Sequence, residues 1–503
     1  MPKSHNDNAF PWASLPADIR LLILDEISDQ KYRGWSVCAA VCKEWQAIIE
    51  PKNFCQLALK TSCLDEFEYL VIRQRPLVQH ICLNVELPRY ACPTCQQDVT
   101  VPEVTVPGCT SDIFWKAVLR LFSTLSTWQP AGRLILELNA SSPSDSEHWF
   151  KNYCFGPGHE DIGDWTQQER AIRWHDPKHG WADGQQIQAP DPSAILRIFS
   201  PLCLDVPQNL PVVHAVTGFQ IHRQLRHQLF PFVLKALLEK LPRLESMVYE
   251  LWRVSLIHHQ IADTKDAKEL ANIVEDVLPE HVKEVSIFKD FNDQLELTLD
   301  NARSSLYQYL GVPRIITSAV HLALSKAFAR KSHNLERLSI AYMIDAQQLF
   351  ISCRQMPCTW NLLQSLTLTS SILARTASHQ SIYALLQDAS LTALNMPQLK
   401  SMVLWNGGQG QACAVIYQRR TTNGLATLTW RSTWDLELSQ DVEESWKKVV
   451  PSSCCLLFEK ELLRDVDIRS HGDAIHHLRL SDRVIDPTSL RQILQEGRMQ
   501  RLA

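Results

Sequence analysis

The feature that most constrains this chain is a short apolar pattern, L-x-x-L-x-L with substitutions, that keeps returning in its second half. It reads Val282-x-x-Val285-x-Ile287, Leu335-x-x-Leu338-x-Ile340, Leu363-x-x-Leu366-x-Leu368, Leu399-x-x-Met402-x-Leu404 and Leu425-x-x-Leu428-x-Trp430, with a looser copy over 244–249. Most copies follow a helical stretch, at 232–241, 267–278, 320–330 and 382–387, so the unit is helix, turn, short strand. Side chains alternate along a strand, so the apolar positions of each copy share one face and need a layer of helices over it. The expected class is α/β.

The starts of the copies are unevenly spaced and more than once exceed the ~20–29-residue period of a regular leucine-rich repeat. A plain α/β domain with parallel strands of similar composition is the competing reading. Helix-then-strand order without any dinucleotide fingerprint favours an irregular, leucine-rich-repeat-like solenoid over residues 193–503. In such a fold Glu284, Ser286, Arg337, Ser339, Ser365, Thr367, Ser401, Val403, Thr427 and Thr429 share the opposite, concave face, continued by Phe288, Trp405 and Arg431. Aromatic and arginine side chains are enriched at binding hot spots. Arg337, Ser339, Thr367, Trp405 and Arg431 are therefore the candidate substrate-binding residues.

Upstream, residues 56–138 alternate helix and strand signals, including a strand over 81–87, a helix over 113–125 and a strand over 134–138, and lead into the repeat region. Residues 139–192 are a long Gly- and Pro-containing loop carrying Trp149, Trp165, Trp174 and Trp181. A loop of this length with so many tryptophans is expected to fold down onto a surface. Residues 1–9 are polar and expected to be disordered.

Several classes are disfavoured by composition. Net charge is −5 and no basic cluster dominates, so neither nucleic acid nor an anionic membrane is the expected partner. His222-Arg223 with Arg226-His227, and Arg330-Lys331, read as solvated surface. No apolar run is long enough to span a bilayer. Fifteen cysteines, many within apolar patterns (Cys38, Cys42, Cys203), point to free thiols and a reducing compartment, the cytoplasm and/or nucleus.

The motifs with chemical potential are few. Cys92-x-x-Cys95, with Cys82 and Cys109 nearby in sequence, could ligate zinc, but structural zinc normally takes two close pairs and the second is missing. Two partly buried thiols in a turn is the alternative. His175 and His179 flank Pro177, which forbids the helix that would align them, and His258-His259 point apart. Asn406-Gly407-Gly408-Gln409-Gly410 lacks the Lys-Ser/Thr of a phosphate loop and reads as a turn after a strand. No nucleophile elbow or triad stands out. No metal, no cofactor and no catalytic residue are expected.

The N-terminal stretch 15–49 carries more apolar surface than a unit of its size can hide. Pro16 suits a first helical turn, Ile19, Leu22, Ile23 and Ile27 form one stripe, and Leu21 and Leu24 widen it. A second helix carries Cys38, Val41, Cys42, Trp45, Ile48 and Ile49 and is expected to close at Pro51. The order Leu15-Pro16, Asp18-Ile19, Ile23-Leu24 and Val41-Cys42-Lys43-Glu44-Trp45 resembles an F-box, placed at residues 10–55. That family docks on the Skp adaptor of cullin-RING ubiquitin ligases. The segments 136–153 and 429–438, with Trp446, resemble fungal F-box proteins whose C-terminal region is uncharacterised. The resemblance implies adaptor binding through Leu15, Pro16, Ile19, Leu22, Ile23, Leu24, Ile27, Val41, Cys42 and Trp45. It also implies a non-catalytic substrate receptor in protein ubiquitination that reaches cullin through the adaptor and holds a protein target on its repeat region. An adaptor-binding scaffold without ligase output, and an α/β enzyme with an incidental helical hairpin, are the other readings.

Overall fold

Wherever the apolar pattern recurs, a strand forms, and the strands join edge to edge in the order in which the chain makes them. The computed structural model describes residues 12–30, 34–92, 107–156, 174–202, 206–253, 259–310, 319–356, 358–420, 424–451 and 454–498. The strands are β1 (Gln56–Lys60), β2 (His80–Glu86), β3 (Ile135–Ser141), β4 (Trp181–Ala182), β5 (Gln185–Gln186), β6 (Gly218–Ile221) and β7 (Ser246–Trp252). They continue with β8 (Glu284–Asp290), β9 (Arg337–Ala341), β10 (Ser365–Thr369), β11 (Ser401–Gly408), β12 (Gln411–Arg420), β13 (Leu425–Ser432) and β14 (Cys455–Leu462). Among the described residues, all but the β4–β5 hairpin belong to one 12-stranded, mostly parallel sheet in chain order.

One register runs across the whole sheet. Leu57, Ile81, Leu136, Phe219, Met247, Val285, Leu338, Leu366, Met402, Tyr417, Leu428 and Phe458 stand side by side, each paired with the next. This row packs with the helices Pro107–Ser126, Pro231–Leu238, Ala319–Lys331 and His379–Ala393 into one apolar core. A parallel pair needs a crossover of a dozen or more residues, and these helices supply it. Burying each such side chain is worth about 1.5–3 kcal/mol, and the lead residues Val282, Leu335, Leu363 and Leu399 are buried with them.

Three expectations are corrected. The last copy of the pattern lies on β13, reached through an antiparallel meander of β11, β12 and β13 instead of a helix. Gly407 and Gly408 belong to β11, and the turn is confined to Gln409-Gly410, where Gly410 takes φ 77°. Pro51 does not end the second N-terminal helix, which runs from Lys43 to Cys55 and forgoes the one backbone bond that the proline N–H would have made.

After β14 the chain turns back over the opposite face of the sheet. Helices His471–His477, Ser481–Val484 and Pro487–Arg498 lie there, and Ile468, Ala474, Ile475, Leu478, Val484, Leu490 and Ile493 form a second core with Phe288, Val403, Trp405, Ala414 and Ile416. The approach is closest at Gly407, where a Cβ would collide with the Cβ of Ala474. Gly407→Ala is therefore expected to lower stability by about 1–3 kcal/mol, read as a lower urea midpoint with native secondary structure retained; an unchanged midpoint would count against the tight seal.

Candidate functional site

The N-terminal unit comprises α1 (Ala17–Gln30), a 3₁₀ turn over Trp35–Ala40 and α2 (Lys43–Cys55). Trp12 packs on Trp45 with ring centroids 5.2 Å apart. Trp12 and Arg20 both donate to the Glu44 carboxylate, at 3.0 and 2.8 Å, closing the two ends of the unit on each other. Leu24 and Ile49 are buried. Several other apolar side chains are open: Ile19 is 42% exposed, Leu22 63%, Val37 70% and Val41 62%. Of the expected adaptor-binding residues, Pro16 and Cys42 are also exposed, Leu15, Ile23, Ile27 and Trp45 are half-buried, and Leu24 is withdrawn into the interior.

The expected concave row is largely occupied by the chain itself. Trp405 is fully buried and Thr367 is buried. Arg431 makes a two-pronged contact with Glu461, at 2.7 and 3.0 Å, and donates to the Leu478 carbonyl. Ser339 donates to the Arg483 carbonyl. Arg337 is exposed, with Glu284 3.5 Å away. Alternation along the strands places these residues on one face as expected. The returning C-terminal segment, which the strand pattern does not reveal, covers that face.

A buried charge network fastens this segment. Arg223 and Arg226, expected at a solvated surface, are both buried. Arg223 donates to Asp290 at 2.6 Å and forms two 2.8 Å bonds to Glu496, and Arg226 reaches Glu496 at 2.6 Å. His471 lies 2.8 Å from the other Asp290 oxygen. Among the described residues Nε and Nη1 of Arg226 have no acceptor; the guanidinium lies over the rings of Trp252 and Tyr153, at 4.2 and 4.6 Å. Beside them Glu250 accepts from the Arg223, Asp486 and Ser489 groups, and His222 sits 3.3 Å from it. Burial alone would raise both Asp290 and Glu496; Arg223, joined by Arg226 at Glu496, overrides it and holds both carboxyls below their ordinary values. Burial would lower His222, but Glu250 and Glu137 outweigh it and hold the imidazole up at about 10.

Loop 139–192 folds over the ends of the strands where it is described. Trp149, Phe150, Tyr153 and Phe155 pack with Phe199, Trp252 and Leu295, and Trp181 is buried; Trp165 lies outside the described residues. Within this loop His179 stands 3.4 Å (Nε2) from Cys92 Sγ and 2.8 Å (Nδ1) from Asp176 Oδ2. His148 joins them, with one donor atom of each of Cys92, His148 and His179 within 4.8 Å of the others. His175 stays outside, beside Asp183. Cys95, Cys203 and His258 lie outside the described residues, and Cys82 is buried in β2 next to Glu137. Cys42, expected in an apolar interior, is exposed, and Cys38 is half-buried. His148 could not have been singled out from sequence, since no motif spacing links it to Cys92.

Comparison with known families matches residues 277–486 to a family described as "Family of unknown function (DUF6546)". The span opens just before β8 and closes within the returning segment, so it contains the strands β8 to β14 together with most of the elements that seal them. It does not reach α1 or α2, and the F-box resemblance rests on its own residues. A search of the curated proteins returns no match. Among the described residues no helix is long and apolar enough to cross a membrane.

The charge network makes the seal sensitive to pH in both directions. With folded-state pKa values depressed, Asp290 and Glu496 contribute fully above the ordinary carboxylate range of about 4 and lose their contribution as pH falls through and below it. His222, with a raised value, contributes fully below its ordinary value of about 6.5 and loses that contribution as pH rises toward about 10. Urea midpoints are expected to be highest between these limits and to fall on both sides. Glu496→Gln, which leaves two buried guanidinium groups undercompensated, is expected to cost roughly 3–5 kcal/mol and to flatten the acid limb; a flat pH profile in the unaltered chain would contradict the assignment.

Proposed function

We propose that this chain is a non-catalytic receptor subunit of a Skp–cullin–F-box type ubiquitin ligase, working in the cytoplasm or nucleus. The observation that carries the reading is the exposure of Ile19, Leu22, Val37 and Val41 on a helical unit whose Leu-Pro start and Val-Cys-Lys-x-Trp end resemble an F-box. An apolar face exposed around buried anchors favours a protein partner, and the Skp adaptor is the partner the resemblance implies. We read the chain-ordered sheet as an irregular leucine-rich-repeat-like solenoid; the shared register of Val285, Leu338, Leu366 and Met402 supports it. The receptor would act by proximity, holding its target near the conjugating enzyme without chemistry of its own.

The seal over Trp405 and Arg431 removes most of the expected target face and leaves the strand starts around Arg337. That observation favours a second reading, an adaptor-bound scaffold without ligase output. Pull-down of purified chain with purified adaptor tests the shared part. Leu22→Asp and Val41→Asp, at exposed sites, should each weaken capture by roughly 30-fold or more, the ~2 kcal/mol loss typical of an interface anchor, with unchanged melting. Capture that survives both substitutions excludes the two readings together. If capture depends on them, ubiquitin transfer to co-purifying proteins in the reconstituted ligase separates receptor from scaffold.

A further inference from the structure

Three segments distant in sequence converge on one point near the ends of β2 and β3. Cys92 follows β2, His148 sits in the loop after β3, and His179 ends the turn before the β4–β5 hairpin. Each is held by its own supports. Tyr90 binds Asp145 through its hydroxyl at 2.8 Å, Ser142 donates to the Pro88 carbonyl at 2.8 Å, and Arg197 donates to the Ala91 carbonyl at 2.6 Å, so the backbone leading to Cys92 is fixed against the His148 loop. Trp181 and Gln186 both donate to the Trp149 carbonyl, fastening the hairpin to the residue after His148. His148 itself takes φ 56°, a conformation that few non-glycine residues adopt and that surrounding structure must impose.

We propose that Cys92, His148 and His179 bind one divalent metal ion of the zinc class, which clips the tryptophan-bearing loop to the sheet. Zinc bonds of about 2.3 Å to sulfur and 2.0–2.1 Å to nitrogen place the two donors of a tetrahedral site about 3.5 Å apart. Cys92 Sγ and His179 Nε2 are 3.4 Å apart. The Asp176 carboxylate, 2.8 Å from His179 Nδ1, selects the tautomer with its proton on Nδ1 and turns the Nε2 lone pair toward Cys92. A carboxylate behind a histidine is the usual outer support of a zinc ligand. Lys151, 3.2 Å from the same Asp176 oxygen, holds the carboxylate from the other side. Glu147 lies 4.0 Å from His148 Nε2. Thiolate and imidazole together suit zinc over the oxygen-seeking calcium and magnesium. The fourth position is left to solvent or a further donor.

Cys92, His179 and Asp176 also have the order of a thiol-nucleophile triad. Two observations favour the metal: Cys92 is buried, whereas a nucleophile must meet its substrate, and a triad has no use for the second imidazole of His148, whose ring centre lies 4.4 Å from that of His179. A second close cysteine pair is the usual way to complete such a site, and the sequence has none beside Cys92. The fold brings the missing donors as two histidines from elsewhere.

Elemental analysis of the full chain, purified without chelator and with loosely bound metal removed, is expected to give about one zinc per chain. The cobalt-loaded protein should show a near-ultraviolet thiolate-to-cobalt band that Cys92→Ser abolishes and Cys154→Ser keeps. Asp176→Asn leaves all three donors in place and should weaken zinc binding roughly 10–100-fold against a chromophoric chelator. Should Cys92→Ser fail to fold, His148→Ala carries the same metal-loss test. Substoichiometric metal after incubation with zinc overturns the proposal, as does a cobalt band that survives Cys92→Ser. Metal-free protein whose Cys92 is rapidly alkylated by iodoacetamide overturns it in favour of the nucleophile.

Discussion

A parallel sheet built in chain order has two faces, and its crossover helices cover one of them. The second face must be polar and wet or find another cover. In this chain the answer changes along the strands. Their starts carry half-exposed Glu284, Ser365 and Ser401, while farther along they carry Phe288 and Trp405, which no helix of the crossover layer can reach. Everything after β14 answers that need. The second core, the close approach at Gly407 and the paired charges of Arg223, Asp290 and Glu496 are three parts of one cover.

The use of charge to fasten that cover has a physical logic. Apolar contact alone would let the last helix slide along a flat sheet, since hydrophobic burial has no direction. A guanidinium that must meet Asp290 on one side and both oxygens of Glu496 on the other allows one position only. The desolvation cost of five charged side chains at this spot, counting Glu250 and Arg226, makes the network a weak source of net stability; its effect is on register.

Much of the sheet could be read from residues. The apolar spacing of Leu335, Leu338 and Ile340 and its relatives marks the strands, and alternation correctly puts Ser339, Thr367 and Trp405 on a common face. What covers that face could not be read, because a strand records that a side chain needs burial and not which segment buries it. The same limit hid the ion pairs: Arg223 beside His222 looks like surface basicity until Glu496, 273 residues away, is placed on it. Cys92 and His179 are 87 positions apart, beyond any local ligand spacing. The hairpin of β11 and β12 was legible as a turn but drawn too wide, since Asn406, Gly407 and Gly408 belong to the strand and glycines in strands and in turns look alike in a sequence.

The separation of Arg223 from Glu496 also has a meaning in time. At the usual 5–20 residues per second of synthesis, roughly 15–50 s pass between the making of the arginine and of its carboxylate. During that interval β6, β7 and β8 can already be paired, with Asp290 present as a first counter-ion to Arg223 and Glu496 still to come. Until helix Pro487–Arg498 is made, the two guanidinium groups therefore lack the carboxylate that pairs them in the finished protein.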